Sequence, residues 1–266
     1  MMKANKSLRT TLIVGISFLV YYVLFHYFGT IKTILDAYTR QGLTSYIITY
    51  LLIGLPIFAG TYLICKRENV FADLGMSGNL FTGIGVSALF TLPLFIGGLL
   101  FFDFNTKIET ENLIAGTLIA GLMEEWYFRG FFFGMLFRHT RIGFIPAIFF
   151  GAVIFAFGHL YQGSGFLELT GIFTVTFLGA VFFAWLFAEW KYNLWVPVFT
   201  HTFMNLSWAL FDVDATALGG LKSNIFRLLT IFLAVGFTLI YKKRKNQPLE
   251  VNRHTLLLKR NEVTGS

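Results

Sequence analysis

Hydrophobic positions in this chain fall into long blocks separated by short polar joints. Eight blocks, at about 11–29, 46–64, 81–102, 113–137, 142–160, 166–188, 193–211 and 224–241, approach the ~20 residues a helix needs to cross a hydrocarbon core. Blocks of this length predict membrane-spanning helices rather than the shorter alternating strands of a β-barrel. The joints contain no fixed-period repeat, no low-complexity tract and no linker long enough to separate a pair of soluble domains. The expected fold is all-α: a polytopic transmembrane helical bundle of about eight transmembrane helices, one integral membrane domain over 1–266.

Composition sharpens this. Hydrophobic residues make up 56% of the 266 positions, aromatics 18% and charged residues only 13%. A soluble domain carries about 25% charged residues, so a soluble enzyme, a disordered tail and a collagen-like rod are excluded. The formal charge of +7 could suggest nucleic-acid binding, but the basic residues sit in short clusters beside the apolar blocks and report topology instead. With eight spans, 15 Lys and Arg fall on the side of the two termini and 5 on the other, and Arg129 lies inside a span. Both termini are therefore expected in the cytoplasm. Asp36, Asp103, Glu109, Glu111, Glu168, Asp212 and Asp214 gather on the outer side. The first block follows Lys3, Lys6 and Arg9 but continues through Tyr21, Tyr22 and Phe25 without a small-residue cleavage site, which predicts a retained first helix. At the other terminus, Lys242-Lys243-Arg244-Lys245 opens a basic cytoplasmic tail over 242–266. Cys65, beside Lys66 and Arg67, has no partner for an intrachain disulfide. Small residues four apart, at Gly116 and Ala120, Gly130 and Gly134, Ala147 and Gly151, and Ala152 and Ala156, predict helix-packing faces.

Charged side chains cost on the order of 2.5–3.5 kcal/mol each at the centre of a membrane helix, so the few in the middle blocks need a reason. Glu124, Glu125 and Arg129 lie in the fourth block, His159 ends the fifth, and His201 and Asn205 lie in the seventh. On an α-helix, Glu125 and Arg129 sit four apart and can form an ion pair in the favoured order, acid before base. Glu124 is rotated by about 100° from Glu125 and points at a different neighbour. His201 and Asn205 share a face. Such a set can glue helices, line a proton or ion path, or carry out acid–base chemistry.

In order, Glu124-Glu125-x-x-x-Arg129, Phe155-x-x-x-His159 and His201-x-x-x-Asn205 resemble the signature of the CPBP family, the CAAX proteases and bacteriocin-processing intramembrane endopeptidases also called Abi. Gly130 after Phe128-Arg129 is typical of the family too. The resemblance covers a core at 113–210. It implies an all-helical bundle with its active site in a cavity within the bilayer, and hydrolysis of a peptide bond. Carried over, Glu124 is the general base that activates water and His159 helps to hold that water. His201 and Asn205 stabilise the oxyanion, and Glu125 positions the site with Arg129 as its partner.

These residue types suit the chemistry: amide hydrolysis by water needs a base beside the water and donors beside the developing oxyanion. The favoured mechanism uses glutamate and requires no cofactor. A divalent metal such as zinc is the alternative, held by Glu124, His159 and His201 with Glu125 as base, although no His-Glu-x-x-His motif is present. The expected partners are the lipid bilayer and a membrane-associated peptide or lipidated protein substrate, not nucleic acid. The expected location is a bacterial cytoplasmic membrane. A non-proteolytic membrane protein, transporter-like or an immunity or regulatory scaffold, could use the same polar cluster. By this count His159 lies about 17 residues into its helix, nearer the outer face than Glu124 and His201.

Overall fold

The computed structural model describes residues 2–65 and 70–259, with side chains from Lys6 onward. Lys66, Arg67 and Arg260, counted above among the basic clusters, lie outside the described residues, as does the end of the 242–266 tail. The chain forms α1 (Met2–Phe25), α2 (Phe28–Thr39), α3 (Gly42–Ile53), α4 (Leu55–Cys65) and a single turn, α5 (Val70–Asp73). These are followed by α6 (Leu80–Phe101), a continuous helical run α7 over 110–139, α8 (Phe144–Phe157), α9 (Phe166–Glu189), α10 (Trp195–Leu210) and α11 (Leu221–Arg244). Among the described residues there is no strand, only one isolated antiparallel bridge between Ile142 and Leu258.

Local sequence explains several of these limits. The Asn79 side chain accepts a hydrogen bond from the Thr82 N–H and so caps the start of α6. The second apolar block becomes α3 and α4, bent by 42° at Gly54. The bend is fixed by close approach: a Cβ on Gly54 would strike the Tyr127 hydroxyl, which donates to the Tyr50 carbonyl at 2.8 Å. The helix α2 is not among the eight blocks. Lys32 and Asp36, paired at 2.7 Å, interrupt its apolar run, and it folds back on α3.

Five helical segments are long and apolar enough to cross a membrane by themselves: Lys6–Phe25, Leu80–Phe101, Phe144–Gln162, Phe166–Glu189 and Leu221–Arg244. The bent pair α3–α4 makes a sixth. The remaining two of the eight expected spans are α7 and α10, which carry most of the polar set. With 16 residues α10 is about 24 Å long, short of a ~30 Å hydrocarbon core. In α7 the run is helical throughout but opens into wide i→i+5 turns at Ala115–Ile119 and Glu125–Phe133, the second spanning the Glu125–Arg129 pair. The residues that make these two helices candidates for chemistry also dilute their hydrophobic signal.

A large aromatic core joins α1, α3, α4, α7, α8 and α9, with Phe18, Tyr127, Phe131, Phe133 and Phe187 almost fully buried. A smaller one, around Phe90, Leu186 and Ala234, joins α6, α9 and α11. Three of the four small-residue pairs lie at packing faces: Gly130 approaches the Leu74 carbonyl, Gly134 the Phe187 ring and Gly151 the Phe132 ring, while Ala147, Ala152 and Ala156 are buried. The fourth does not pack. Gly116 has open space where a side chain would be, and with Ala120 it lines a cavity.

Candidate active site

The wide turn of α7 and the middle of α10 place the polar residues in two layers. In the sealed layer, Glu125 and Arg129 are fully buried, with Arg129 Nη1 3.1 Å from Glu125 Oε1. The guanidinium lies against the faces of Phe155 and Phe183, its carbon 4.6 and 5.3 Å from the ring centres. The expected acid–base pair therefore forms. Its alignment is poor for a hydrogen bond, so it is a charge contact in a cage of aromatic rings.

The same Glu125 oxygen also binds a partner from another helix. His201 Nδ1 is 2.8 Å from Glu125 Oε1, and the imidazole stacks on Phe183 with ring centres 4.9 Å apart. Because the carboxylate only accepts, Nδ1 carries the hydrogen, and in the neutral ring Nε2 keeps its lone pair. That nitrogen faces Glu124 Oε2 at 3.9 Å. Two acceptors therefore face each other, and Glu124 Oε2 is buried without a hydrogen-bond partner. Sequence spacing correctly sends Glu124 and Glu125 in different directions, but both meet the one imidazole.

The open layer is a cavity of about 1390 Å³ lined by Glu124, His159, His201 and Asn205. His159 follows the last turn of α8, its Nδ1 donating to the Phe155 carbonyl at 2.7 Å and its ring packed on Phe155. This leaves Nε2 as the unprotonated nitrogen in the neutral form. The difference in depth expected for His159 is thus absorbed by the height of the cavity, which reaches from Glu124 to the end of α8. Asn205 Nδ2 donates to the Gly116 carbonyl at 3.1 Å, in the first wide turn of α7, so one of its two amide hydrogens is committed there.

Among the described residues no three His, Cys, Asp or Glu side chains come together as a group able to hold a metal ion. Glu124, His159 and His201 share the cavity without forming such a group. Residues outside the motifs complete the walls: Tyr21 from α1 and Tyr46 and Tyr50 from α3 line the same cavity, and Phe183 backs both Arg129 and His201. Nothing marks them in a chain with 33 Phe and 11 Tyr.

All six candidate residues lie in one stretch of sequence. Residues 108–207 match the family of Rce1-like type II CAAX prenyl endopeptidases. The Rce1-like match bears out the CPBP resemblance and supports, at family level, a CAAX-type membrane peptidase core. The chain is also 32% identical over 98 residues to a Bacillus subtilis (strain 168) protein named "Putative membrane peptidase YdiL". That alignment covers 35% of this chain and 34% of the relative. The Rce1-like stretch holds α7, α8, α9 and most of α10, including both charge layers; α1 to α6 and α11 lie outside it. With its long apolar helices, the chain is a multi-pass integral membrane protein.

Proposed function

We propose that this chain is an intramembrane endopeptidase that hydrolyses a peptide bond in a membrane-associated substrate, a prenylated protein or a peptide precursor, by glutamate-activated water in a bacterial cytoplasmic membrane. The observation that carries this reading is the unpartnered Glu124 Oε2, in a cavity, 3.9 Å from an imidazole nitrogen whose other side is fixed by Glu125.

A water between these two acceptors donates one hydrogen to Glu124 and the other to His201 Nε2. As its oxygen attacks the carbonyl carbon, Glu124 takes a proton, a C–O bond forms and the carbonyl becomes an oxyanion. The second amide hydrogen of Asn205 is a donor for that oxyanion; His201, whose N–H is held by Glu125, accepts from the water instead of donating to the oxyanion as the family resemblance implies, and His159 holds the water or the leaving group from the other wall. Collapse breaks the C–N bond, and the proton held by Glu124 passes to the leaving amine. Glu125 and Arg129 take no part in proton transfer. They set the imidazole's tautomer and orientation, as a carboxylate behind a catalytic histidine does elsewhere. The aromatic cage keeps their charges paired in a medium where solvation is absent.

The test is cleavage of quenched peptides, prenylated and leader-type, by the purified protein in detergent. Glu124→Ala and Glu124→Gln are compared with wild type, each with and without a chelator. Loss of cleavage in both variants and indifference to the chelator are expected. Cleavage that survives Glu124→Gln contradicts the assignment of the base, and cleavage abolished by chelator contradicts the metal-free mechanism. A folded protein that cleaves none of the panel turns the reading toward a non-proteolytic role.

A further inference from the structure

The cavity belongs to one end of the bundle. Its lining comes from mid-bundle positions and from the end that holds His26, Gln162, Asp212 and Thr216. Among the described residues, none of the lining comes from 138–143, 189–195 or 242–259, the segments at the end of the chain termini. That end is closed by the chain itself. After α11 the backbone folds back, and the N–H groups of Glu250 and Val251 donate to the buried Glu189 carboxylate. Gly143 then donates to the Leu257 carbonyl, Ile145 to Leu256 and Lys259 to Arg141, each at 2.9 Å.

The charges at the two ends differ in kind. The closed end carries Lys6, Arg9, Arg138, Arg141, Lys191 and the run Lys242 to Lys245, and an excess of Lys and Arg marks the cytoplasmic side of a membrane protein. At the open end Lys32 is paired with Asp36, and the cavity wall carries Asp212 and Asp214. Arg227, the guanidinium in that wall, is committed: it donates to the Ala217 and Leu218 carbonyls and to Asn224, and lies 4.5 Å over the Trp208 ring. A substrate whose C-terminal carboxylate must be seated needs a free cation to receive it, and this mouth sets two carboxylates, Asp212 and Asp214, against one guanidinium whose N–H groups are already taken.

Resting on the proteolytic reading, we propose that the cavity is filled from the outer face of the membrane. Its substrate is an exported, membrane-anchored peptide precursor cut at an internal bond, not the C-terminus of a cytosolic prenylated protein. Neutral or cationic segments are favoured at the acidic mouth.

Two measurements test this. In a Cys65→Ser background, Ala215→Cys at the mouth and Lys245→Cys at the closed end are treated with a membrane-impermeant maleimide. The first is expected to react in intact cells and the second only after lysis; the reverse pattern overturns the proposal. In detergent, where both faces are accessible, kcat/KM for internal-bond peptides is expected to exceed that for a prenylated CAAX peptide by about tenfold. Asp212→Asn is expected to lower the preference for cationic over neutral peptides about fivefold, an effect that fades with added salt. Asp212 has a φ of 44°, a conformation asparagine readily adopts, so the fold should be kept. Glu124→Gln is the control in every assay. Cleavage that it abolishes but that favours the CAAX peptide, or ignores Asp212, overturns this proposal and leaves the protease standing. If no cleavage depends on Glu124, the proteolytic reading falls and takes this one with it.

Discussion

At the closed end of the bundle, the buried Glu189 carboxylate has a full set of partners. Lys242 Nζ lies 2.5 Å away, and the Glu250 and Val251 N–H groups donate at 3.2 and 2.9 Å. At the open end, Glu124 is buried in its inner oxygen and has no hydrogen-bond partner for it. Both carboxylates sit in the same kind of apolar bundle, where an unmet charge costs several kcal/mol. The first is integral to how the protein holds its shape. The second lines the cavity with one oxygen left without a protein partner, which is what the proposed base needs. Between them, Glu125 combines the two roles, being sealed by Arg129 yet hydrogen-bonded to the imidazole that faces the cavity.

This contrast can be broken at several points. The largest effect is expected from Arg129→Met, which removes the positive charge from the sealed layer. About 3–5 kcal/mol of stability should be lost, seen as a lower Tm in detergent. An unchanged Tm would mean that Glu125 does not need its partner. Next comes Lys242→Met, which leaves Glu189 with only its two backbone donors. The expected loss is about 1.5–3 kcal/mol, with kcat/KM of the remaining folded protein at the wild-type value, because the cavity lies at the other end. A fall in kcat/KM without a fall in Tm would show that the two ends are coupled.

Smaller effects sharpen the picture. Tyr127→Phe removes the hydrogen bond to the Tyr50 carbonyl that fixes the bent pair α3–α4, and should cost about 1 kcal/mol in thermal unfolding. The smallest concerns Lys259, whose Nζ lies 3.9 Å from the centre of the Phe137 ring on the closed end. Burial lowers its pKa to about 8, so the folded protein releases this proton before the unfolded chain does. The charged form is penalised below about pH 8, and stability should rise as pH increases from about 8 towards ~10.4, by less than about 1 kcal/mol because the group is partly exposed. Lys259→Met should flatten this rise in a series of Tm measurements between pH 7 and 10.

Apolar blocks were enough to read the long helices, because lipid imposes a length and a composition on anything that crosses it. They could not reveal α2, whose lysine and aspartate resemble a polar joint, or the bend at Gly54, which depends on a tyrosine 73 residues away in sequence. The Glu125–Arg129 pair was legible because helix spacing alone brings it together. The His201–Glu125 contact was not, since it depends on how α10 lies against α7, and no periodicity carries that. Gly116 shows the converse. Its spacing from Ala120 suggests a packing face, yet the wide turn aims it at the cavity, where its carbonyl receives Asn205. The basic tail read as surface charge, but Lys242 is buried, and the residues after it form the closure of one end.

The central claim is that two adjacent glutamates have been given opposite tasks, Glu124 to react and Glu125 to hold. Measuring Tm and cleavage for Glu124→Gln and Glu125→Gln side by side tests it most directly. Glu124→Gln should be at least as stable as wild type and lose about 10²–10⁴-fold in kcat, while Glu125→Gln should lose stability as well as activity. A Glu124→Gln protein that cleaves at the wild-type rate, or a Glu125→Gln protein as stable and active as wild type, would contradict the account.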